Sequence, residues 1–311
     1  MDVVRGHAHC PAWSGAAVAI GNFDGVHVGH RALIDRAREM ATAAGKGTKV
    51  VALTFDPHPS AVLTATAPRF QIASLARRLE LLAAAGADAV VIEEFTREYA
   101  AREAAPFVDE ILLKALRARA VVVGYDYTYG RARSGSTETL CTHTAELGVP
   151  CAVVPPIEVA GEIASSTKIR AYLKGGELAK AEAMLGRPWD IDGSVVHGAK
   201  RGRAIGIPTA NIAPGSDLII APGIYAVTMS VEGGPERQGV ASLGTNPTFV
   251  TQGGLVLEVH LLDFDGDLYN RHVRTTFVAR LRDEVAYTGV EPLLAQIRHD
   301  IVEARAIFAA R

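Results

Sequence analysis

Cysteine is scarce in this chain: three residues in 311, namely Cys10, Cys141 and Cys151. An odd number with no CxxC pair indicates neither a disulfide framework nor a cysteine-rich zinc site. Long apolar runs are missing too; none approaches the ~20 residues that a membrane span requires. The first residues, MDVVRGHAHCPAW, hold no apolar signal core. These absences lead to the expectation of a soluble, reduced, cytoplasmic protein. Neither charge sign is in excess, with 32 Lys and Arg against 34 Asp and Glu and a formal net charge of −2. That balance argues against a general nucleic-acid-binding surface. There is no internal repeat and no low-complexity tract. What is present is a globular composition, 49% hydrophobic and 21% charged. At 311 residues the chain is long enough for two domains with cores of their own.

Two patterns divide it. Up to about residue 185, short apolar runs at 16–20, 50–55, 87–93, 120–124 and 151–154 alternate with amphipathic stretches. Near-continuous apolar runs are what a parallel sheet covered on both faces requires. Between the first two runs, Leu33, Ile34, Ala37, Met40, Ala41 and Ala44 recur at helical spacing. Segments 72–85, 103–117 and 136–147 are similar in character, and the alternation predicts an open parallel α/β sheet. Leu185-Gly186-Arg187-Pro188 then stops the last helix. Beyond it come short β-like runs at 193–197, 223–231, 238–243, 255–263 and 272–279. Strands without intervening helices predict an antiparallel barrel or sandwich, followed by an amphipathic helix over 291–308. The expected domains are therefore 1–186 and 187–311.

The first apolar run leads into GNFDGVHVGH (21–30). A glycine-rich strand-to-helix turn brings backbone N–H groups to phosphate oxygens at a helix N-terminus. The spacing is neither GxGxxG nor a P-loop, which argues against a dinucleotide dehydrogenase. His27 and His30, three apart, can face one phosphate and stabilise charge developing on it; a zinc pair lacking its third ligand and two structural histidines are the other readings. Further on, ASSTKIR (164–170) places Ser165 as an N-cap with Ser166 and Thr167 in the first turn. Hydroxyls, free N–H groups and the nearby Lys168 and Arg170 make either a second anion cradle or an ordinary helix cap.

Together with TFDPHP (54–59) and VVGYDYTYGRARSG (122–135), these motifs resemble the adenylyltransferase half of the bacterial bifunctional riboflavin kinase/FAD synthetases, of the HIGH-type nucleotidyltransferase group. The resemblance implies a Rossmann-like domain that binds ATP phosphates through Gly21, Phe23, Asp24, Gly25, His27 and His30. It assigns Ser165, Ser166, Thr167 and Arg170 to the second ATP-binding signature. It assigns Gly124, Asp126, Tyr127 and Tyr129 to the flavin and ATP cleft, where the tyrosines stand in place of the more usual phenylalanines. Read as residues alone, Tyr127 and Tyr129 are equally core packing.

In the second half, GAKRGRAIGIPTANI (198–212) is a turn-rich stretch in a β region. Thr209 and Asn211, two apart on an extended chain, point the same way. Both offer hard oxygen ligands suited to Mg²⁺ with ATP phosphates; a hairpin held by side-chain hydrogen bonds is the plainer reading. Gly198, Gly202 and Gly206 would let the loop close over those phosphates. In the apolar run 255–262, Glu258 shares a face with Val256, His260 and Leu262. A carboxylate there could take a proton from a substrate hydroxyl, or simply lie on a wet face. GRxxGxPTAN (202–211), PGIYAV (222–227), SLGTNPTF (242–249), LEVHLLDFDGDLYN (257–270) and QIRHDIVEAR (296–305) resemble the riboflavin kinase module of the same family. That resemblance implies a six-stranded antiparallel barrel with a terminal helix. By position it makes Thr209 and Asn211 the Mg-ATP ligands, with Gly202 in the ATP loop, and Glu258 the catalytic base. Asn270 and Val250 stand where the family commonly has glycine.

The reading is a bifunctional enzyme that phosphorylates riboflavin to FMN with Mg²⁺-ATP and joins FMN to a second ATP, giving FAD and pyrophosphate. Riboflavin, FMN, FAD and ATP are the expected partners, with no nucleic acid and no membrane; the oligomeric state is left open. Two rivals predict different chemistry: a monofunctional adenylyltransferase whose barrel only binds flavin, and a non-catalytic flavin sensor.

Overall fold

The structure, a computed structural model, describes residues 1–64, 70–198, 202, 205–214, 220–244 and 256–311. By its contacts the chain divides into two compact units, Met1–Arg69 with Leu75–Ser166, and Phe70–Ser74 with Thr167–Arg311.

The first unit is built on a parallel sheet of β1 (Asp2–Arg5), β2 (Ala16–Ile20), β3 (Lys49–Asp56), β4 (Ala89–Glu94), β5 (Ala118–Gly124) and β8 (Cys151–Val154). Two-residue strands pair beside it, β6 (Thr128–Tyr129) with β7 (Gly135–Ser136) and β9 (Glu158–Val159) with β10 (Glu162–Ile163). The sheet order is β1-β4-β3-β2-β5-β8, every pairing parallel. All five residues of β2 are buried, as the apolar runs require when both faces are covered. One face packs Val18, Ile20, Leu53 and Val121 with a helical layer holding Phe107, Val108, Ile111 and Leu112. The other packs Ala17, Ala19 and Ala52 with Leu33, Ile34, Ala37 and Ala41 of α1 (Val28–Ala43).

The remaining helices are α2 (Pro59–Leu63), α3 (Leu75–Ala84), α4 (Arg97–Ala100), α5 (Ala104–Pro106) and α6 (Thr137–Glu146). The helix expected over 103–117 is α5 running into a π-helical stretch, Phe107–Ala115. Its end is marked by Leu116 N–H donating to the Ile111 carbonyl five residues back. Strand β1 has no counterpart in the sequence reading. It sits at the sheet edge with only Val4 buried, too little apolar pattern to announce a strand.

The expectation of three reduced cysteines is corrected. Cys141 of α6 and Cys151, the first residue of β8, form a disulfide with Cα atoms 5.1 Å apart. The pairing is tertiary, since α6 packs on β8, and no local cysteine spacing encodes it. Cys10 is free and half-buried.

The second unit contains α7 (Ser166–Lys174, all but its first residue), α8 (Leu178–Leu185), a closed barrel and α9 (Val290–Ala309). Helix α8 ends at Gly186, whose φ of 64° is left-handed and favours glycine, as Leu-Gly-Arg-Pro predicts. The barrel strands are β11 (Trp189–Val196), β12 (Ala210–Pro214), β13 (Gly223–Val231), β14 (Arg237–Gly244), β15 (Val256–Leu261) and β16 (His272–Arg282). They close in the order β11-β12-β15-β14-β13-β16, all antiparallel. Trp189, Tyr225 and Phe277 are buried among them. Outside, Ala304, Ile301, Ile307 and Phe308 of α9 pack on Ile224, Ala226, Val240 and Val278. Strand β12 falls where the sequence reads as turn-rich. Residues 245–255, including most of SLGTNPTF and Val250, lie outside the described residues. Asn270 has φ 61°, a left-handed conformation that asparagine tolerates.

Candidate active sites

In the first unit, sheet order reverses between β2 and β5. The chain winds from β2 through β3 to β4 on one side, and continues to β5 and β8 on the other. Open α/β sheets bind ligands at the carboxyl ends of the strands beside such a switch point. Three of the sequence motifs leave the sheet there: 21–30 after β2, 56–59 after β3 and 124–135 after β5.

The turn after β2 is tightly wound. Phe23, Gly25 and Val26 have φ of 51°, 79° and 42°, and strained non-glycine backbone of this kind clusters at functional sites. Phe23 and Asp24 are buried, at 0% and 2% exposure. His27 caps α1, its Nδ1 accepting the Gly29 N–H at 3.1 Å. That bond places the ring proton of neutral His27 on Nε2. The His27 and His30 rings stack with centroids 3.7 Å apart, and Phe23 lies against His30 at 5.3 Å. Two imidazoles therefore form one face at the helix N-terminus, where anions are favoured. The Ser166 hydroxyl donates to the Asp24 carbonyl at 2.9 Å, joining the start of the SSTKIR helix to this turn. Ser165 immediately precedes α7. Thr167 is exposed, and Arg170 Nε donates to the Phe70 carbonyl at 3.2 Å; both belong to the second unit.

After β5, Asp126 is exposed and Tyr127 half-buried, while Tyr129 is in the core at 8% exposure. Their rings are nearly parallel, 5.7 Å apart, and Phe107 lies 5.5 Å from Tyr129. Burial raises the pKa of both hydroxyls above the ordinary tyrosine value, so both are donors at neutral pH.

In the barrel, Asn211 of β12 lies opposite Glu258 of β15, which is also paired with Ser242 of β14. The Thr209 hydroxyl is 3.4 Å from Glu258 Oε2. Leu257, Val259 and Leu261 turn into the core, leaving Glu258 and His260 half-exposed on the other face, as the alternation predicts. His260 Nδ1 lies 2.8 Å from the Pro208 carbonyl, tethering the segment before Thr209 to the strand of Glu258. The Ile207 N–H donates to the Gly202 carbonyl at 2.8 Å. A Cβ on Gly202 would come within 2.2 Å of the Ile207 carbonyl oxygen, so the turn admits no side chain there. The hydroxyl, amide and carboxylate oxygens of Thr209, Asn211 and Glu258 are the hard donors a Mg²⁺-nucleotide requires. Among the described residues no cluster of three or more His, Cys, Asp or Glu is arranged to hold a metal ion.

Sequence reading missed two buried charged groups of the first unit. Glu93, 2% exposed at the end of β4, accepts from His7 N–H at 2.6 Å and lies 2.8 Å from His7 Nδ1. Arg78 of α3, 1% exposed, donates to the Asn22 carbonyl at 2.9 Å. An arginine in an amphipathic segment, or a glutamate at the end of an apolar run, reads as solvated, so neither carried a signal.

The FAD synthetase family model matches residues 10–168 and the riboflavin kinase family model residues 185–308. Among curated proteins, a bifunctional riboflavin kinase/FMN adenylyltransferase of Listeria monocytogenes is 38% identical over 94% of this chain and 92% of its own length. Those of Pseudomonas fluorescens (99% and 98% covered) and Escherichia coli K12 (94% and 93%) are 37% and 36% identical. A solved structure described as a macrolide-efflux protein from Streptococcus pneumoniae shares the fold, with TM-score 0.88 and 29% identity over 98% of this chain and 99% of that one. Among the described residues of this chain, no helix is long and apolar enough to cross a membrane. With both halves matched in order and relatives aligned along nearly the whole length, the chain belongs to the bifunctional riboflavin kinase/FMN adenylyltransferase family.

Proposed function

We propose that the chain converts riboflavin to FMN and FMN to FAD, with the two steps at separate sites. The functional division falls near residue 186: residues 1–186 carry adenylyl transfer and residues 187–311 phosphoryl transfer. In the barrel, Glu258 takes the proton of the riboflavin 5′-hydroxyl as it attacks the γ-phosphorus of ATP. Thr209, Asn211 and the turn at Gly202 hold the triphosphate. The three oxygen donors suit Mg²⁺, which when bound with ATP supplies charge neutralisation on the phosphates. Catalysis of this kind is mostly positioning and electrostatics. In the α/β unit the FMN phosphate attacks the α-phosphorus of a second ATP and pyrophosphate leaves. His27, donating through Nε2, and His30 stabilise the charge on the phosphoryl oxygens. Ser165, Ser166, Thr167 and Arg170 hold the ATP phosphates, and Asp126, Tyr127 and Tyr129 line the flavin side. The reading includes a cytoplasmic location, where Cys141 and Cys151 would meet a reducing thiol pool.

The observation that carries this reading is the convergence on Glu258 of Asn211, its partner across the β12–β15 pair, and Thr209, just before β12, while the stacked histidines belong to the other unit. A barrel that only bound flavin would have no use for a carboxylate beside two phosphate ligands. The test separates the products of riboflavin with Mg²⁺-ATP, and of FMN with Mg²⁺-ATP, for wild type, Asn211→Ala and Glu258→Gln. Both variants should make no FMN from riboflavin yet turn supplied FMN into FAD at the wild-type rate. A folded variant that still makes FMN, or that fails to adenylate supplied FMN, refutes the allocation.

A further inference from the structure

Arg78 is among the most deeply buried charged residues of the first unit, at 1% exposure on α3. Its guanidinium reaches out of its helix to the ends of two strands. Nη1 donates to the Asn22 carbonyl at 2.9 Å, in the turn after β2. The same nitrogen lies 3.3 Å from the Phe55 carbonyl and 3.4 Å from Thr54 Oγ1 on β3. The Thr54 hydroxyl itself donates to the Asn22 carbonyl at 3.1 Å. Nη2 lies 3.8 Å from Asp56 Oδ1. One side chain thus joins GNFDGVHVGH to TFDPHP at the carboxyl edge of the sheet.

Two physical facts separate this from ordinary core packing. Burying a cation costs free energy, and an apolar side chain of similar volume often serves a core as well or better. The free energy therefore goes into geometry and charge, not packing. Moreover, the turn that carries the stacked histidines also carries Asp24, a carboxylate only 2% exposed, and Asp56 ends β3. Unpaired, these carboxylates would repel the phosphates of ATP and FMN. Arg78 Nη2 lies beside Asp56, and while burial lowers the Arg78 pKa, the charges of Asp24 and Asp56 raise it.

We propose that Arg78 is a positioning residue for adenylyl transfer, its guanidinium locking the turns after β2 and β3 together and neutralising Asp24 and Asp56 beside the phosphate site. The proposal rests on the adenylyl-transfer reading of that site. Arg78→Lys keeps the charge on a shorter side chain with no second nitrogen to approach Asp56 while the first holds Asn22 and Phe55, and Arg78→Met removes both the charge and the donors. FMN-to-FAD kinetics with Mg²⁺-ATP, riboflavin phosphorylation and circular dichroism are measured on the full chain for each variant. Misplacement of catalytic groups by ~1 Å costs about 10²-fold in rate. Arg78→Lys should therefore lower kcat for FAD formation by about that factor, with KM for ATP and FMN nearly unchanged and riboflavin phosphorylation intact. Arg78→Met should lose more. Full kcat in Arg78→Lys overturns the proposal, as does a loss accounted for by unfolded protein or matched in the kinase step. If Arg78→Met does not fold, Arg78→Lys decides. Wild-type protein that makes no FAD from FMN would instead refute the site reading itself.

Discussion

His27 and His30 occupy one face of one turn, yet they are not equivalent targets. His27 accepts the Gly29 N–H and so caps α1; replacing it removes the proposed catalytic donor and a helix cap together. His30 does not cap α1, which makes it the cleaner probe. His30→Ala should reduce FAD formation by about 10²–10³, the usual loss for one oxyanion donor, while riboflavin is still phosphorylated and FMN accumulates. Chromatography of the products from riboflavin and Mg²⁺-ATP reads both steps at once, and equal loss of FMN and FAD in folded protein would refute separate sites. Cys10 offers a pH test of burial in the same unit. Burial, and then the Glu93 carboxylate, push its thiol pKa up to about 11. A raised pKa means less thiolate at any given pH, and the thiolate is the nucleophile. Alkylation of Cys10 by iodoacetamide, followed by mass spectrometry, should be slow at pH 8 and climb as pH approaches 11. Fast modification at pH 8 would contradict the burial.

At the scale of elements, legibility followed burial. Strands β2 to β5 and β8 were placed within two residues of their ends, because a strand covered on both faces must be a continuous apolar run. The half-exposed edge strand β1 was missed for the complementary reason. So was β12, where half-buried Asn211 alternates with buried Ala210 and Ile212 just after Thr209 and the turn at Gly202. Arg78 and Glu93 were invisible because residue type indicates solvent and only tertiary packing says otherwise; the Cys141–Cys151 link is tertiary in the same sense. The terminal helix was legible in extent, but what holds it was not. Asp300 of α9, 2% exposed, accepts from Arg282 Nε at 2.8 Å, Arg282 Nη2 at 2.7 Å and Gln296 Nε2 at 2.9 Å. Arg282 ends β16, so this fork clamps α9 to the barrel. Asp300→Ala leaves Arg282 without its carboxylate in a partly buried position, with the Nη1 bond to the Asp283 carbonyl remaining, and should cost about 3 kcal/mol, the lower end for breaking such a pair. Urea unfolding of the full chain should show the lower midpoint; an unchanged midpoint would mean that apolar packing alone holds the helix.

At the scale of the whole molecule, chemistry and compactness draw different lines. All groups assigned to phosphoryl transfer lie beyond residue 186, and the riboflavin kinase match begins at 185. The compact unit around the barrel, however, takes in Phe70–Ser74 and everything from Thr167. Helix α8 explains why. It buries Leu178, Ala181, Met184 and Leu185 and packs on β11 and β16. Burying one large aliphatic side chain is worth about 1.5–3 kcal/mol, comparable to a good part of a small domain's net stability. A fragment of residues 187–311 discards that cover and leaves apolar barrel surface in water. A fragment of residues 167–311 keeps it and loses only the 70–74 segment, whose Ile72 carbonyl accepts Trp189 Nε1–H at 2.9 Å. The longer fragment should unfold at higher temperature and remain soluble at higher concentration, as thermal circular dichroism and sedimentation would read. Both contain Thr209, Asn211 and Glu258, so either one, when folded, should phosphorylate riboflavin with Mg²⁺-ATP and make no FAD. Equal stability of the two would show that α8 is not needed by the barrel. A folded 167–311 fragment that yields no FMN would mean that the α/β unit supplies groups essential to the kinase step, and the separation of the two chemistries along this chain would fail.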